Sequence, residues 1–107
     1  MRPGDPRFAT FPAASGAAQL RWYILQTASG ALDIHDLLTD LRPLHESLEK
    51  QGPVQFASNE EGRAVWDVLW AVEFYRENAA QEEHPEDWYT PEQVLEIVKR
   101  AAAQLAD

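Results

Sequence analysis

The chain has 107 residues, 45% of them hydrophobic, enough to build one core and too few for two domains with separate cores. It contains no cysteine, which excludes disulfides, thiolate metal ligands and a cysteine nucleophile. The formal net charge of −9 disfavours direct nucleic-acid binding, which needs Lys and Arg to neutralise phosphates; it suits either a basic partner or solubility alone.

Met1 to Pro12 carries three prolines, a glycine and the isolated aromatics Phe8 and Phe11, with no helical or alternating period. Residues 1–14 read as an extended N-terminal arm that Phe8 and Phe11 can pin to the body, and 15–107 as a single helical domain. Arg2 and Arg7 are followed by Pro, Gly and Thr rather than by a continuous apolar run, and no stretch is long enough to span a bilayer, so a cytoplasmic protein without membrane contact is expected.

From about Ser15 to Ala28 a first helix is predicted, with Ala17, Leu20, Ile24 and Ala28 on one face, Leu25 beside it, and Arg21 and Gln26 elsewhere. Ser29-Gly30 stops it, because glycine tolerates the left-handed conformation that closes many helices. Asp33 is a natural N-cap for a second helix, and Asp36 complements its dipole. Ile34, Leu37, Leu38, Leu41, Leu44 and Leu48 keep an apolar seam through Glu49, while Pro43 predicts a kink or a break. Gly52-Pro53 ends the element, and Val54 to Phe56 is at most a connector or one marginal strand.

The stretch from Ser58 to Arg76 joins a capping box, Ser58 with Glu61, to the densest apolar run in the chain. Val65, Val68, Leu69, Val72 and Tyr75 form one stripe of this helix, flanked by Ala64 and Ala71. Trp66, Trp70 and Phe74 form a second stripe, displaced around the axis and interleaved with Asp67, Glu73 and Glu77. Two apolar stripes call for two neighbours, either two helices of the same domain or one helix and a partner.

Asn78 to Trp88 follows as the most acidic stretch, with Glu82, Glu83, Glu86 and Asp87 and no lysine or arginine. Such a run is either a solvated loop or a lure for a basic surface, with Trp88 and Tyr89 supplying apolar contact. The last helix opens at Thr90-Pro91-Glu92-Gln93, which combines a Thr cap, Pro at the first helical position and Gln closing the box. Val94, Leu95, Ile97, Val98, Ala101, Ala102 and Leu105 form its buried face, with Lys99 and Arg100 near the negative end of its dipole. The sum is an all-α fold, a small antiparallel four-helix bundle with a kinked second helix.

Residues with a chemistry of their own are few. No glutamate stands three positions before His35, His45 or His84, so the Glu-x-x-His pair of a di-iron bundle is missing. His45 and Glu49 have i, i+4 spacing on a polar face, too little for a metal site. The scattered glycines make no phosphate loop, and no serine sits in a nucleophile elbow. Neither a cofactor nor catalysis is expected.

Three stretches carry a family resemblance: Ser29-Gly30-Ala31-Leu32-Asp33-Ile34-His35-Asp36-Leu37-Leu38, Val68-Leu69-Trp70-Ala71-Val72-Glu73-Phe74-Tyr75, and Tyr89-Thr90-Pro91-Glu92-Gln93-Val94-Leu95. In these the chain resembles the colicin D-type immunity proteins, small acidic helical proteins that neutralise a co-encoded bacterial toxin. The likeness covers roughly Leu20 to Leu105; Trp66, Trp70 and Pro43 depart from the pattern. It implies a four-helix bundle, without catalysis, that blocks the active site of a nuclease toxin with acids in place of RNA phosphates. The residues themselves place the site: with Glu77 ending the central helix near the start of the acidic segment, Glu73, Glu77, Glu82, Glu83, Glu86 and Asp87 cluster at one end of the bundle beside Trp70, Phe74 and Trp88. These are the expected partner-binding residues, with Asp36, Asp40 and Glu46 as a second, exposed acidic set. A structural adaptor module and a phage-type nucleic-acid mimic are the alternatives.

Overall fold

A computed structural model describes residues 4–76 and 83–105. Four helices account for most of them: α1 (Ala17–Ser29), α2 (Ile34–Glu49), α3 (Asn59–Glu73) and α4 (Pro91–Leu105). Among the described residues there is no strand, only an isolated bridge between Tyr75 and Tyr89.

The helix boundaries follow from local chemistry. Gly30 closes α1 in the left-handed conformation at φ 87°. Asp33 caps α2, its carboxylate accepting from His35 N–H at 3.0 Å. Ser58 caps α3, its hydroxyl accepting from Glu61 N–H at 3.1 Å, although Glu61 makes no return bond. At α4 the box is reciprocal: Gln93 N–H donates to Thr90 Oγ1 at 3.2 Å, and Thr90 N–H donates to Gln93 Oε1 at 2.9 Å. Helix α2 runs through Pro43 without the break that proline makes conceivable.

The helices pack as a bundle in which α1 touches the other three, α4 lies on α1 and α3, and α2 lies on α1 and α3. Leu20, Ile24, Leu37, Leu41, Val65, Val68, Val94 and Val98 are fully buried between them, so the first stripe of α3 is core. Tyr75, expected at the end of that stripe, is only half-buried. The C-terminus of α4 is tied to α1 by Arg21, whose Nη2 donates to the Leu105 carbonyl, a cation on the negative end of a helix dipole.

The N-terminal segment is turned rather than extended. Asp5 caps a single 3-10 turn at Pro6–Phe8, with Pro6 at its first position. The turn carries Phe8 into the core at 7% exposure, where it meets Trp22 and Tyr23 at ring-centroid distances of 5.2 and 6.0 Å. Phe11 adds edge contacts to the same two rings. Trp22 Nε1 donates to Thr10 Oγ1 and Gln19 Nε2 to the Pro12 carbonyl, so the segment is held by polar contacts as well. Arg7 donates to Asp5 and to Asp36 of α2, at 2.9 and 2.7 Å, and the hydrogen bond to Asp5 is the main reason its guanidinium is held above its ordinary pKa.

Candidate functional site

Among the described residues no helix covers the Trp66 and Trp70 part of the second stripe of α3. Trp66 and Trp70 are 49% and 59% exposed, the only large hydrophobic side chains so exposed among the described residues. Leaving two indoles in water forgoes the burial that fixes the rest of the helix, and such aromatic exposure marks interaction surfaces. Trp70 lies at a junction, since it lines three separate surface grooves.

The first is a groove of about 420 Å3 formed by Trp70, Phe74, Glu86, Asp87, Trp88 and Tyr89. Its geometry depends on how α3 ends. The helix stops at Glu73 with Phe74 as its C-cap, short of the Glu77 expected from the sequence. The backbone then turns to pair with the segment entering α4: Tyr89 N–H donates to the Phe74 carbonyl at 2.9 Å and Arg76 N–H to the Tyr89 carbonyl at 3.0 Å. Two backbone bonds of an isolated bridge replace the helical ones that a continued α3 would have made. They bring Trp88 back to Phe74 at a ring-centroid distance of 6.2 Å, and Trp70 lies 4.7 Å from the same ring. The Arg76 guanidinium lies over the Trp88 ring at 3.9 Å, a cation–π contact that the acidic composition of the segment does not announce.

The structure therefore gathers Trp70, Phe74, Glu86, Asp87 and Trp88 at one end of the bundle. Glu83 is exposed nearby but does not line the groove. Glu77 and Glu82 lie outside the described residues. Glu73 belongs elsewhere: its carboxylate pairs with Arg42 of α2 at 3.1 Å, so it faces the second helix and not the acidic segment. Nor are the second-choice acids free. Asp36 is bound by Arg7, Asp40 accepts from Tyr23 OH at 3.0 Å, and Glu46 lies 3.6 Å from Arg42. Asp36 and Asp40 are half-buried rather than exposed, because the N-terminal turn and Tyr23 reach them.

The second groove, of about 350 Å3, runs between α2 and α3. His45 and Leu69 lie in it among Trp66, Trp70, Phe74, Arg42, Glu46, Glu49 and Glu73. His45 is 6% exposed, packed edge-on to Trp66 at 4.9 Å, with Nδ1 facing Glu49 at 3.6 Å and a buried Nε2 that has no hydrogen-bond partner. Its i, i+4 spacing to Glu49 is what the sequence offers; its burial under an exposed tryptophan depends on how α2 and α3 pack.

His84, Glu86 and Asp87 are the one set of three ligand-type side chains close enough to share a cation among the described residues, and all three are exposed. Open water competes there for any ion, and His84 Nδ1 already faces Glu86 at 3.5 Å. No described helix is long and apolar enough to cross a membrane. Comparison with known protein families, curated proteins and solved structures finds no match to this chain.

Proposed function

We propose that this chain is an immunity-type inhibitor that binds and neutralises a basic protein, a nuclease toxin by the resemblance stated above, in the cytoplasm and without catalysis of its own. The observation that carries the reading is the exposed aromatic surface centred on Trp70, set beside Glu86 and Asp87 on a chain of net charge −9. Aromatic side chains give an interface its anchoring energy, and surplus carboxylates speed encounter with a cationic surface. The reading includes an antiparallel bundle, favoured by the short connection from Gly30 to Asp33, and a bend in α2 where Pro43 removes a backbone donor.

Co-expression with the toxic product of the adjoining gene tests it. Growth should be restored by the parent chain and by a core-neutral control such as Lys99→Ala, but not by Trp70→Ala with Phe74→Ala. Failure of the parent to protect or to form a complex with that product would remove the toxin reading. An adaptor role has one observation in its favour, the apolar character of the Trp66 and Trp70 surface; its complex would be nearly indifferent to salt, whereas an acid-steered inhibitor binds more slowly as salt rises.

A further inference from the structure

At one end of the bundle the chain covers an indole with a cation of its own, Arg76 over Trp88 at 3.9 Å. On the α2 side, two more exposed indoles sit among carboxylates, and among the described residues no cation lies over either ring. Trp66 and Trp70 are one helical turn apart on α3, with Cβ atoms about 5–6 Å apart by helix geometry, and both line the same groove. Glu46, Glu49 and Glu73 line the same groove against a single guanidinium, Arg42. Arg42 pairs with Glu73 at 3.1 Å and approaches Glu46 at 3.6 Å, which leaves three carboxylates against one fixed cation. Among the described residues Glu49 faces the imidazole of His45, which carries charge only when protonated, and no Lys or Arg.

We propose that this groove receives an arginine side chain of a protein partner, its guanidinium laid against Trp66 and Trp70 and held by Glu46 and Glu49. The inference rests on the reading above that the chain engages a basic protein, and it names the chemistry of the contact. Charge complementarity selects a cation: an apolar occupant would bury carboxylates without compensation, and an anion would meet an excess of negative charge. Two exposed indoles beside carboxylates select guanidinium over ammonium, because the planar, weakly hydrated group stacks on an aromatic face while its edge N–H groups reach a carboxylate. Glu46 and Glu49 are 63% and 51% exposed; Glu46 shares Arg42 with Glu73, so its charge is only partly offset, and Glu49 faces an imidazole rather than a fixed cation. The groove of about 350 Å3 is large enough to take one side chain.

The test uses the whole chain and two small probes, acetyl-Gly-Arg-Gly-amide and the same peptide with citrulline, which has nearly the same shape and no charge. Both are titrated while the indole N–H signals of Trp66, Trp70 and Trp88 are followed by NMR. The expected result is a saturable shift of the Trp66 and Trp70 signals with the arginine peptide, and binding about fivefold or more weaker with citrulline. In Glu46→Gln with Glu49→Gln, whose fold is checked by circular dichroism, the arginine affinity should fall about threefold or more. Equal response to the two peptides, or no response of Trp66 and Trp70, overturns the proposal. Shifts confined to Trp88 also overturn it, while leaving a partner surface at the acidic end intact. Because the titration needs no toxin, its outcome is independent of the growth test, so failure of one is not failure of the other.

Discussion

Val65 and Trp66 are neighbours on α3 with opposite fates, 0% and 49% exposed. One position along a helix turns a side chain by about 100°, here from the core into water. That difference sets what substitutions should do. Leu41→Ala removes a fully buried side chain and should cost about 2–5 kcal/mol of unfolding free energy, through lost burial and the cavity left behind. Trp70→Ala removes a larger side chain that is 59% exposed and loses little but its contact with Phe74, so its cost should stay near 1 kcal/mol. Urea titrations of both variants check the contrast; a Trp70→Ala as damaging as Leu41→Ala would mean that the second stripe is core after all. His45 is a further case where residue type does not announce place. A histidine on the polar side of an amphipathic pattern becomes buried because Trp66 lies against it, which costs a desolvated Nε2.

At the scale of elements, much of the fold was legible because helix ends carry their own chemistry. Ser58, Thr90, Asp33 and Gly30 mark boundaries that the structure repeats, and each acts through one or two short hydrogen bonds or a glycine φ. Thr90→Ala should cost about 1 kcal/mol, because it removes the acceptor for Gln93 N–H from a box that is closed in both directions. Thermal unfolding followed by circular dichroism reads this directly, and no loss would mean that the α4 start is held by packing alone. What the pattern missed depends on contacts between distant residues. The C-terminal end of α3 has a helical sequence, yet it yields at Glu73 because Phe74 and Arg76 find backbone partners at Tyr89. Asp5-Pro6 is a helix-start signal in miniature, a cap followed by proline, and it was hidden by the proline content around it. Trp22 is covered because that turn delivers Phe8 and Phe11 to it, which no period within α1 encodes, whereas Tyr23, three residues after Leu20, lies on the buried face of α1 itself. The candidate site divides in the same way: Trp70, Phe74, Glu86, Asp87 and Trp88 come together through the bridge at Tyr75, while Glu73 is taken by Arg42.

For the whole molecule, charge is the quantity that separates stability from binding. Eighteen acidic residues face nine lysines and arginines, so repulsive pairs outnumber attractive ones in the folded chain. Salt screens both kinds. The attractive pairs it weakens, such as Arg42 with Glu73, are exposed and contribute about 1 kcal/mol or less each. Repulsion is spread over many exposed carboxylates, and the compact state brings them closer than an unfolded chain does. Screening should therefore help the free protein on balance: raising NaCl from about 20 to 200 mM shortens the Debye length from roughly 20 to 7 Å, and Tm should rise by about 2–5 °C. Association with a basic partner should move the other way over the same range, slowing as the long-range attraction is screened. Reversing Glu83, Glu86 and Asp87 to lysine changes the formal charge by six units without touching a buried side chain. That variant should keep its helicity, lose the salt-dependent rise in Tm, and lose the salt-dependent part of its association rate. Calorimetry of the free protein and stopped-flow mixing with the partner measure the two effects separately. If Tm fell with salt in the parent, the ion pairs around Arg7 and Arg42 would outweigh the surplus of carboxylates, and the acidic surface would be part of what holds the bundle together.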